Sequence, residues 1–296
     1  MAEAPPDPAA TPPGVAVIIP HLDDAGRLRH CLAALTAGNP AGIEIVVVDN
    51  GSATPLDPLR VAFPSVRFLV ECEPGAGPAR NRGVAATTAP LLCFTDADCL
   101  PAPDWLATAR RLASSADLIG GRVDMFDETP PPRSGAQAFE AVFAFRCRDY
   151  VERQGFAVTA NLVTRREVFL ATGGFRAGLA EDRDWCRRAR ALGFRIAYAD
   201  ALRVAHPTRA DWPSLRRKWL RLTREAWAGR PHGLAGRARW ALRALATAAS
   251  ALPDLPKMLS APGLAGAERR RGAAVLLRQR LIRAGWMLRQ ALGLDP

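Results

Sequence analysis

The triplet Asp96-Ala97-Asp98 directly follows the apolar run Pro90–Thr95. Two carboxylates one residue apart, just past a buried strand, give hard oxygen ligands at an edge open to solvent. That donor set suits Mg2+ or Mn2+, cations that take a few carboxylates together with substrate phosphates. A D-x-D triplet also arises by chance, and its plain alternative is a solvated loop. A second acidic pair, Glu181-Asp182, opens an amphipathic stretch, where acids oppose the helix dipole favourably whatever else they do. A third polar group, Asp49-Asn50-Gly51-Ser52, is a turn sequence that closes a run dense in β-branched residues.

Positioning these groups requires an alternating scaffold. Strands are expected over 15–19, 43–48, 66–70 and 90–95, with helices over 25–35 and 76–86 between them. This alternation predicts a doubly wound α/β sheet, whose ligands bind outside the carboxyl ends of the strands. Asp49, Asp96 and Asp98 fall at such ends. Further on, helices are expected over 101–114, 135–153 and 182–192, and strands over 117–125, 195–199 and 203–205. Thr129–Arg133 reads as a Pro-rich mobile loop. Thr164-Arg165-Arg166-Glu167 has capping-box spacing, so a short helix should begin there. From Asp211 onward the pattern is helical, broken at Pro231-His232-Gly233, Pro253–Pro256 and Pro262-Gly263.

The chain has 296 residues, 49% hydrophobic and 23% charged, enough for a large core without disulfide staples. Its six cysteines show no C-x-x-C pair or zinc spacing and read as small buried hydrophobes of a reducing compartment. Residues 1–14 read as a disordered Pro-rich tail without signal-peptide character, and no uncharged apolar run reaches the roughly 18 residues of a spanning helix. The net charge of +11 is uneven: residues 207–296 hold 18 Lys and Arg against 5 acids, leaving the first 206 residues slightly negative. A nearly neutral body carrying a cationic tail is expected.

Seven signatures occur in order: Val-Ala-Val-Ile-Ile-Pro, Val-Val-Asp-Asn-Gly-Ser, Gly-Pro-Ala-Arg-Asn-Arg-Gly, Phe-Thr-Asp-Ala-Asp, Thr-Ala-Asn-Leu, Gly-Gly-Phe and Glu-Asp-Arg-Asp-Trp. Over about Val15–Pro207 the chain resembles the family 2 glycosyltransferases. The resemblance implies a GT-A, Rossmann-like, mixed and mainly parallel sheet flanked by helices. It also implies an inverting enzyme that transfers a sugar from a nucleotide-sugar donor. The organisation expected is a 1–14 tail, a 15–207 GT-A domain and a 208–296 basic helical extension.

In such enzymes the end of the first strand and the turn after the second hold the base and ribose of a nucleotide, often uridine, and Pro20, Asp49 and Asn50 occupy those positions. Many members carry a second Asp where this chain has Asn50, whose amide can still bond a uracil edge. Gly75, Gly77, Arg80 and Asn81 match the segment closing the nucleotide pocket, and a guanidinium there suits phosphate or base. The resemblance further implies Asp96 on ribose or metal-bound water, Asp98 as direct metal ligand and His206 as a further metal or diphosphate ligand. The metal would stabilise charge on the departing diphosphate. Asp182 would take the acceptor hydroxyl's proton as its oxygen attacks the anomeric carbon. Asn161, Glu181 and Trp185 would border the acceptor, Trp185 as packing residue or platform.

The tail combines Trp212, Trp219 and Trp227 with many arginines, and Ala274, Leu277, Leu281, Leu288 and Leu292 recur at helical spacing. Apolar stripes with arginines suit a helix lying in a lipid headgroup layer, or packed helices with a solvated charged face. A cytoplasmic enzyme, peripheral on an anionic membrane, with a lipid-linked, saccharide or small-molecule acceptor is expected. Leu215-Arg216-Arg217-Lys218-Trp219 lacks the Gln and Arg of the Q-x-x-R-W motif of processive members, so single addition is favoured. Two rivals remain. A sugar nucleotidyltransferase would need a Gly-rich loop after the first strand, where the chain reads His21-Leu22-Asp23-Asp24-Ala25-Gly26-Arg27. A non-catalytic basic protein docking on nucleic acid would leave the acids unexplained, and no specific nucleic-acid motif is visible.

Overall fold

The computed structural model describes residues 14–37, 42–230 and 233–296. The expected tail therefore lies almost wholly outside the described residues, as do Pro231 and His232. Strand β1 (Val15–His21) leads to α1 (Ala25–Thr36), β2 (Ile43–Asp49), α2 (Asp57–Ala62), β3 (Val66–Val70), α3 (Ala76–Ala85) and β4 (Leu91–Thr95). The β-branched cores of β1 and β2 are buried on both faces, as parallel strands covered by helices must be. Strands β1 to β4 pair in parallel, in the order β3-β2-β1-β4.

Then come β5 (Leu100–Pro101), α4 (Trp105–Leu112), β6 (Leu118–Phe126), α5 (Gly135–Phe143), α6 (Cys147–Glu152), β7 (Asn161–Arg165), α7 (Arg166–Thr172), α8 (Glu181–Ala191) and β8 (Ile196–Pro207). Strand β7 inserts antiparallel between β4 and β6, which makes the sheet mixed, in the order β3-β2-β1-β4-β7-β6-β8-β5. The fold is the GT-A type of α/β sheet. The short helix expected at Thr164–Glu167 forms as α7, but without the capping-box bond. Arg165 caps α7 without a side-chain bond, because Thr164 lies in β7 and gives its hydroxyl to the Asp117 carbonyl.

The last helices are α9 (Trp212–Ala228), α10 (Leu234–Ala249), α11 (Ala251–Leu259) and α12 (Gly266–Ala291). The break expected over Pro253–Pro256 falls instead at Ser250. Pro253 lies in the first turn of α11, where its missing N–H costs nothing, and Pro256 is carried inside the helix. Among the described residues no helix is long and apolar enough to cross a membrane.

The chain divides into two compact units that do not follow sequence order. The first holds the described part of Met1–Val123 with Cys147–Ala177 and Glu181–Ala205; the second holds Asp124–Arg146, Gly178–Ala180 and His206–Pro296. The second unit thus takes in α5, whose Ala138 and Phe139 pack with Leu215, Met258 and Leu276. Several of its tryptophans make contacts within the unit. Arg278 lies 4.3 Å over Trp212, Arg283 lies 4.6 Å over Trp219, and Trp227 packs on Trp240. These contacts fit the packed helices that are one of the two readings of the tail, although Trp212, Trp219 and Trp227 all stay partly exposed. The Pro-rich loop is tied down as well: Arg133 pairs with Asp127 at 2.6 Å and its backbone N–H donates to Glu268 at 2.7 Å.

Candidate active site

Because β1, β2 and β4 run parallel, their carboxyl ends share one edge, and in-register pairing sets His21 opposite Asp49. His21 is buried, and its Nε2 accepts the Asp24 backbone N–H at 3.1 Å. That acceptor role puts the ring proton on Nδ1, which faces Asp49 Oδ1 at 3.1 Å. The Ser52 hydroxyl also donates to Asp49 and accepts the Asp23 N–H at 2.9 Å. Asp49 is thus fixed in orientation at the strand end, with Pro20 partly exposed one residue before His21. Sequence reasoning missed His21, because its meaning lies in the β1–β2 register.

Asn50 is committed to the chain. Its Nδ2 donates to the carbonyls of Glu71 (3.0 Å) and Glu73 (2.7 Å), while its Oδ1 accepts the Gly75 N–H at 2.6 Å. A carboxylate at this position would face two carbonyl oxygens, which accounts for the amide here in place of Asp. Both amide donors are spent shaping the approach to α3, so the bond to a base edge expected of Asn50 would fall to its oxygen, which keeps a second lone pair. Gly75 caps that helix at φ 125°, in a region only glycine adopts without strain.

The centre of the site is Arg80. Buried in α3, it donates from Nη2 to Asp96 Oδ1 at 2.6 Å and from Nη1 to Glu181 Oε1. Glu181 lies against the first turn of α3, so close to Gly77 that an added Cβ would meet its Oε2 at 2.6 Å. Burial works against the Arg80 charge, but Asp96, Glu181 and Asp182 outweigh it and hold the guanidinium above its ordinary range. Its Nε is buried without a hydrogen-bond partner.

Asp96 and Asp98 are both half-buried at the end of β4. Beneath them Cys31 and Cys99 are buried; burial, reinforced by the two carboxylates, pushes both thiols far up, so neither offers a thiolate. Among the described residues no three His, Cys, Asp or Glu side chains gather at metal-binding spacing. Two solvent-reaching carboxylates alone nonetheless fit a hard cation that retains water and takes its remaining ligands from phosphate. His206, expected as a further ligand, lies in the second unit, where its ring packs 5.2 Å from Phe145 and its Nδ1 contacts the Pro207 carbonyl at 2.7 Å.

Asp182 lies in the first turn of α8, and its Oδ1 accepts the Arg183 N–H at 2.7 Å. Protein crowds the carboxyl, though part of the residue reaches solvent. Burial foremost, then Glu181 and Asp96, raise it to about 6 against the opposing pull of the Arg183 N–H and Arg80. Such a value suits a general base.

Three other residues expected at the site make contacts within the fold. Asn81 exchanges two hydrogen bonds with the Phe175 backbone, donating to its carbonyl and accepting its N–H, each at 2.8 Å. Asn161 is fully buried; its Nδ2 donates to the carbonyls of Arg122 (2.8 Å) and Leu202 (2.9 Å), and its Oδ1 accepts from Trp105 Nε1 (2.9 Å). It braces the sheet and has no atom left for an acceptor. Trp185 is likewise sealed, stacked 5.6 Å from Phe169 with its Nε1 donating to Gly173, and is a packing residue.

A glycosyltransferase from Haloferax volcanii, AglE, is 29% identical over 211 residues, covering 68% of this chain and 69% of that protein. A pre-mycofactocin glycosyltransferase of Mycobacterium tuberculosis is 28% identical over 67% of this chain, which spans 44% of that protein. Two solved structures share the fold. The Pyrobaculum calidifontis mannosyltransferase PcManGT, in complex with GDP-Man and Mn2+, has a TM-score of 0.54 at 18% identity over 99% of this chain and 79% of its own. Staphylococcus aureus TarS in complex with UDP-GlcNAc scores 0.55 at 16% identity over 94% and 79%. The family profile itself, Glycosyl transferase family 2, matches residues 16–183, a span running from β1 through the Arg80 network to Asp182. The chain belongs to glycosyl transferase family 2 and is a glycosyltransferase.

Proposed function

We propose that this glycosyltransferase moves one sugar from a nucleoside diphosphate donor, UDP favoured, to an acceptor hydroxyl of a lipid-linked, saccharide or small-molecule acceptor, with inversion. The observation that carries the reading is the chain of ion pairs Asp96–Arg80–Glu181. It joins the strand-end carboxylates to the acid that precedes Asp182, coupling a donor edge to a proton acceptor poised near neutrality. Asp49, oriented by His21 and Ser52, presents a carboxylate able to accept an imide N–H of the donor's base. Asp98, with Asp96, would hold Mg2+ or Mn2+, which when bound stabilises charge on a departing diphosphate. Asp182 removes the hydroxyl proton as the acceptor oxygen bonds to the anomeric carbon and the diphosphate leaves. A carboxyl raised to about 6 is ionised under physiological conditions yet is a stronger base than an ordinary aspartate.

The neighbours with bound GDP-Man and UDP-GlcNAc set the panel to try. Calorimetry with UDP, GDP and their sugars is expected to show metal-dependent binding selective for one base; binding to none of them would overturn the donor reading. Asp182→Asn is expected to keep donor binding and lower turnover by about a hundred- to ten-thousandfold. Turnover near wild type would dismiss the base assignment.

A further inference from the structure

Helix α12 carries two apolar stripes. One, with Ala273, Leu276 and Met287, is core of the second unit. The other recurs as Leu277, Leu281, Leu288 and Leu292 and faces solvent, with Leu281 63% and Leu292 74% exposed. Helix α10 pairs antiparallel with α12: Trp240 Nε1 donates to Gln290 Oε1 at 3.0 Å, and Thr247 Oγ1 lies 3.7 Å from Met287 Sδ. Seen from one end, the helical step of about 100° runs in opposite senses in two antiparallel helices. Measured from the faces that touch, that step brings exposed Leu242 and Leu245 of α10 to the same side of the pair as the exposed stripe of α12. Exposed Arg239 and Arg243 border this surface along α10, and exposed Arg271 and Arg278 border it along α12. Contiguous apolar surface rimmed by charge marks an interaction site.

We infer that this face of α10 and α12 lies on an anionic lipid surface, its leucines entering the acyl boundary and its arginines reaching the headgroups. Charge decides between the occupants of an apolar face. Residues 207–296 hold 18 Lys and Arg against 5 acids, so pairing two copies through this face would set like charges together, whereas an anionic bilayer complements them. Long arginine side chains can border an apolar face while keeping their heads among phosphates. No helix among the described residues is long and apolar enough to span, so the attachment is peripheral. The inference is independent of the donor reading, because vesicle binding is measured without any nucleotide sugar.

The test is co-sedimentation of the full chain with phosphatidylglycerol–phosphatidylcholine vesicles and with phosphatidylcholine alone. Binding is expected only to the anionic vesicles and to fall with added salt. The double variant Leu281→Ser/Leu288→Ser is expected to weaken partitioning about tenfold or more with an unchanged circular dichroism spectrum, since both side chains are exposed. Truncating α12 would remove core residues along with the stripe, so point variants are the sharper probe. Equal binding to neutral vesicles, or unchanged binding by the leucine variant, would overturn the inference. So would retention on heparin that the leucine variant leaves intact in a protein that ignores vesicles. A concentration-dependent dimer in light scattering, abolished by Leu281→Glu, would assign the face to a second copy instead.

Discussion

In each unit of this glycosyltransferase a buried charge sits between two opposite ones, and the two arrangements differ in what they leave over. In the second unit Glu140, 1% exposed, accepts from Lys218 Nζ at 2.7 Å, from Arg209 Nη1 at 3.0 Å and from the Arg209 backbone at 2.7 Å. Both of its oxygens are used, and Lys218 is largely covered. In the first unit Arg80 is equally buried, but its Nε lacks a partner and its acids, Asp96 and Glu181, keep solvent-accessible surface. A saturated buried charge holds a fold together. A buried charge whose partners face water leaves lone pairs for a ligand.

The largest effect on stability should follow from Glu140→Gln. Burial alone would raise this carboxyl, but Lys218 and Arg209 outweigh it and hold it below its ordinary 4.5. A depressed carboxyl contributes stability above its unfolded value, and that contribution is lost as pH falls from about 4.5 through the lower folded value. The variant strands Lys218 in a site that already disfavours its charge, so we expect a loss of about 3 kcal/mol in urea unfolding at neutral pH and a flatter acid limb. A loss below about 1 kcal/mol would remove the distinction between the two clusters.

Arg80→Gln should show the opposite profile: turnover falling about a hundredfold with only about 1 kcal/mol of stability lost, because Asp96 and Glu181 can be hydrated. Its signature is in the pH profile. In the wild type, kcat/KM is expected to rise with pH through about 6 as Asp182 loses its proton. Arg80 is one of the groups that lower that value, so removing it should move the limb to higher pH. A limb that stayed in place while activity fell would detach Arg80 from the base.

Much of this was legible in the sequence. The β1–α3–β4 alternation reads directly because apolar periodicity is local, and the acids fall at strand ends by type and order. What escaped depends on contacts between distant segments. Strand β7 is short, and its antiparallel pairing with β4 and β6 has no local signature. Helix α5 joins the second unit through Phe139, which no spacing announces. The amides are ambiguous for another reason: Asn50, Asn81 and Asn161 can serve a ligand or a backbone equally well, and only the fold shows the backbone groups they bond. The tail tryptophans suit a lipid face or a packed one equally by type, and only the fold shows Arg278 and Arg283 lying over Trp212 and Trp219. The leucines left exposed there were in the pattern all along, but periodicity cannot say which of two stripes on α12 is buried.

The smallest effect expected tests whether such an amide reaches the chemistry at all. Asn81→Ala removes both bonds to Phe175, whose ring lies 6.0 Å from the Arg80 guanidinium. The lost pair should cost about 1–2 kcal/mol of stability, while the Phe175 N–H and carbonyl it leaves can turn to water. If Asn81 is a latch and nothing more, the donor's Kd and the position of the acid limb should match wild type while the melting temperature drops by a few degrees. A weakened donor Kd at unchanged stability would return Asn81 to the nucleotide pocket and move the boundary between scaffold and site one residue further along α3.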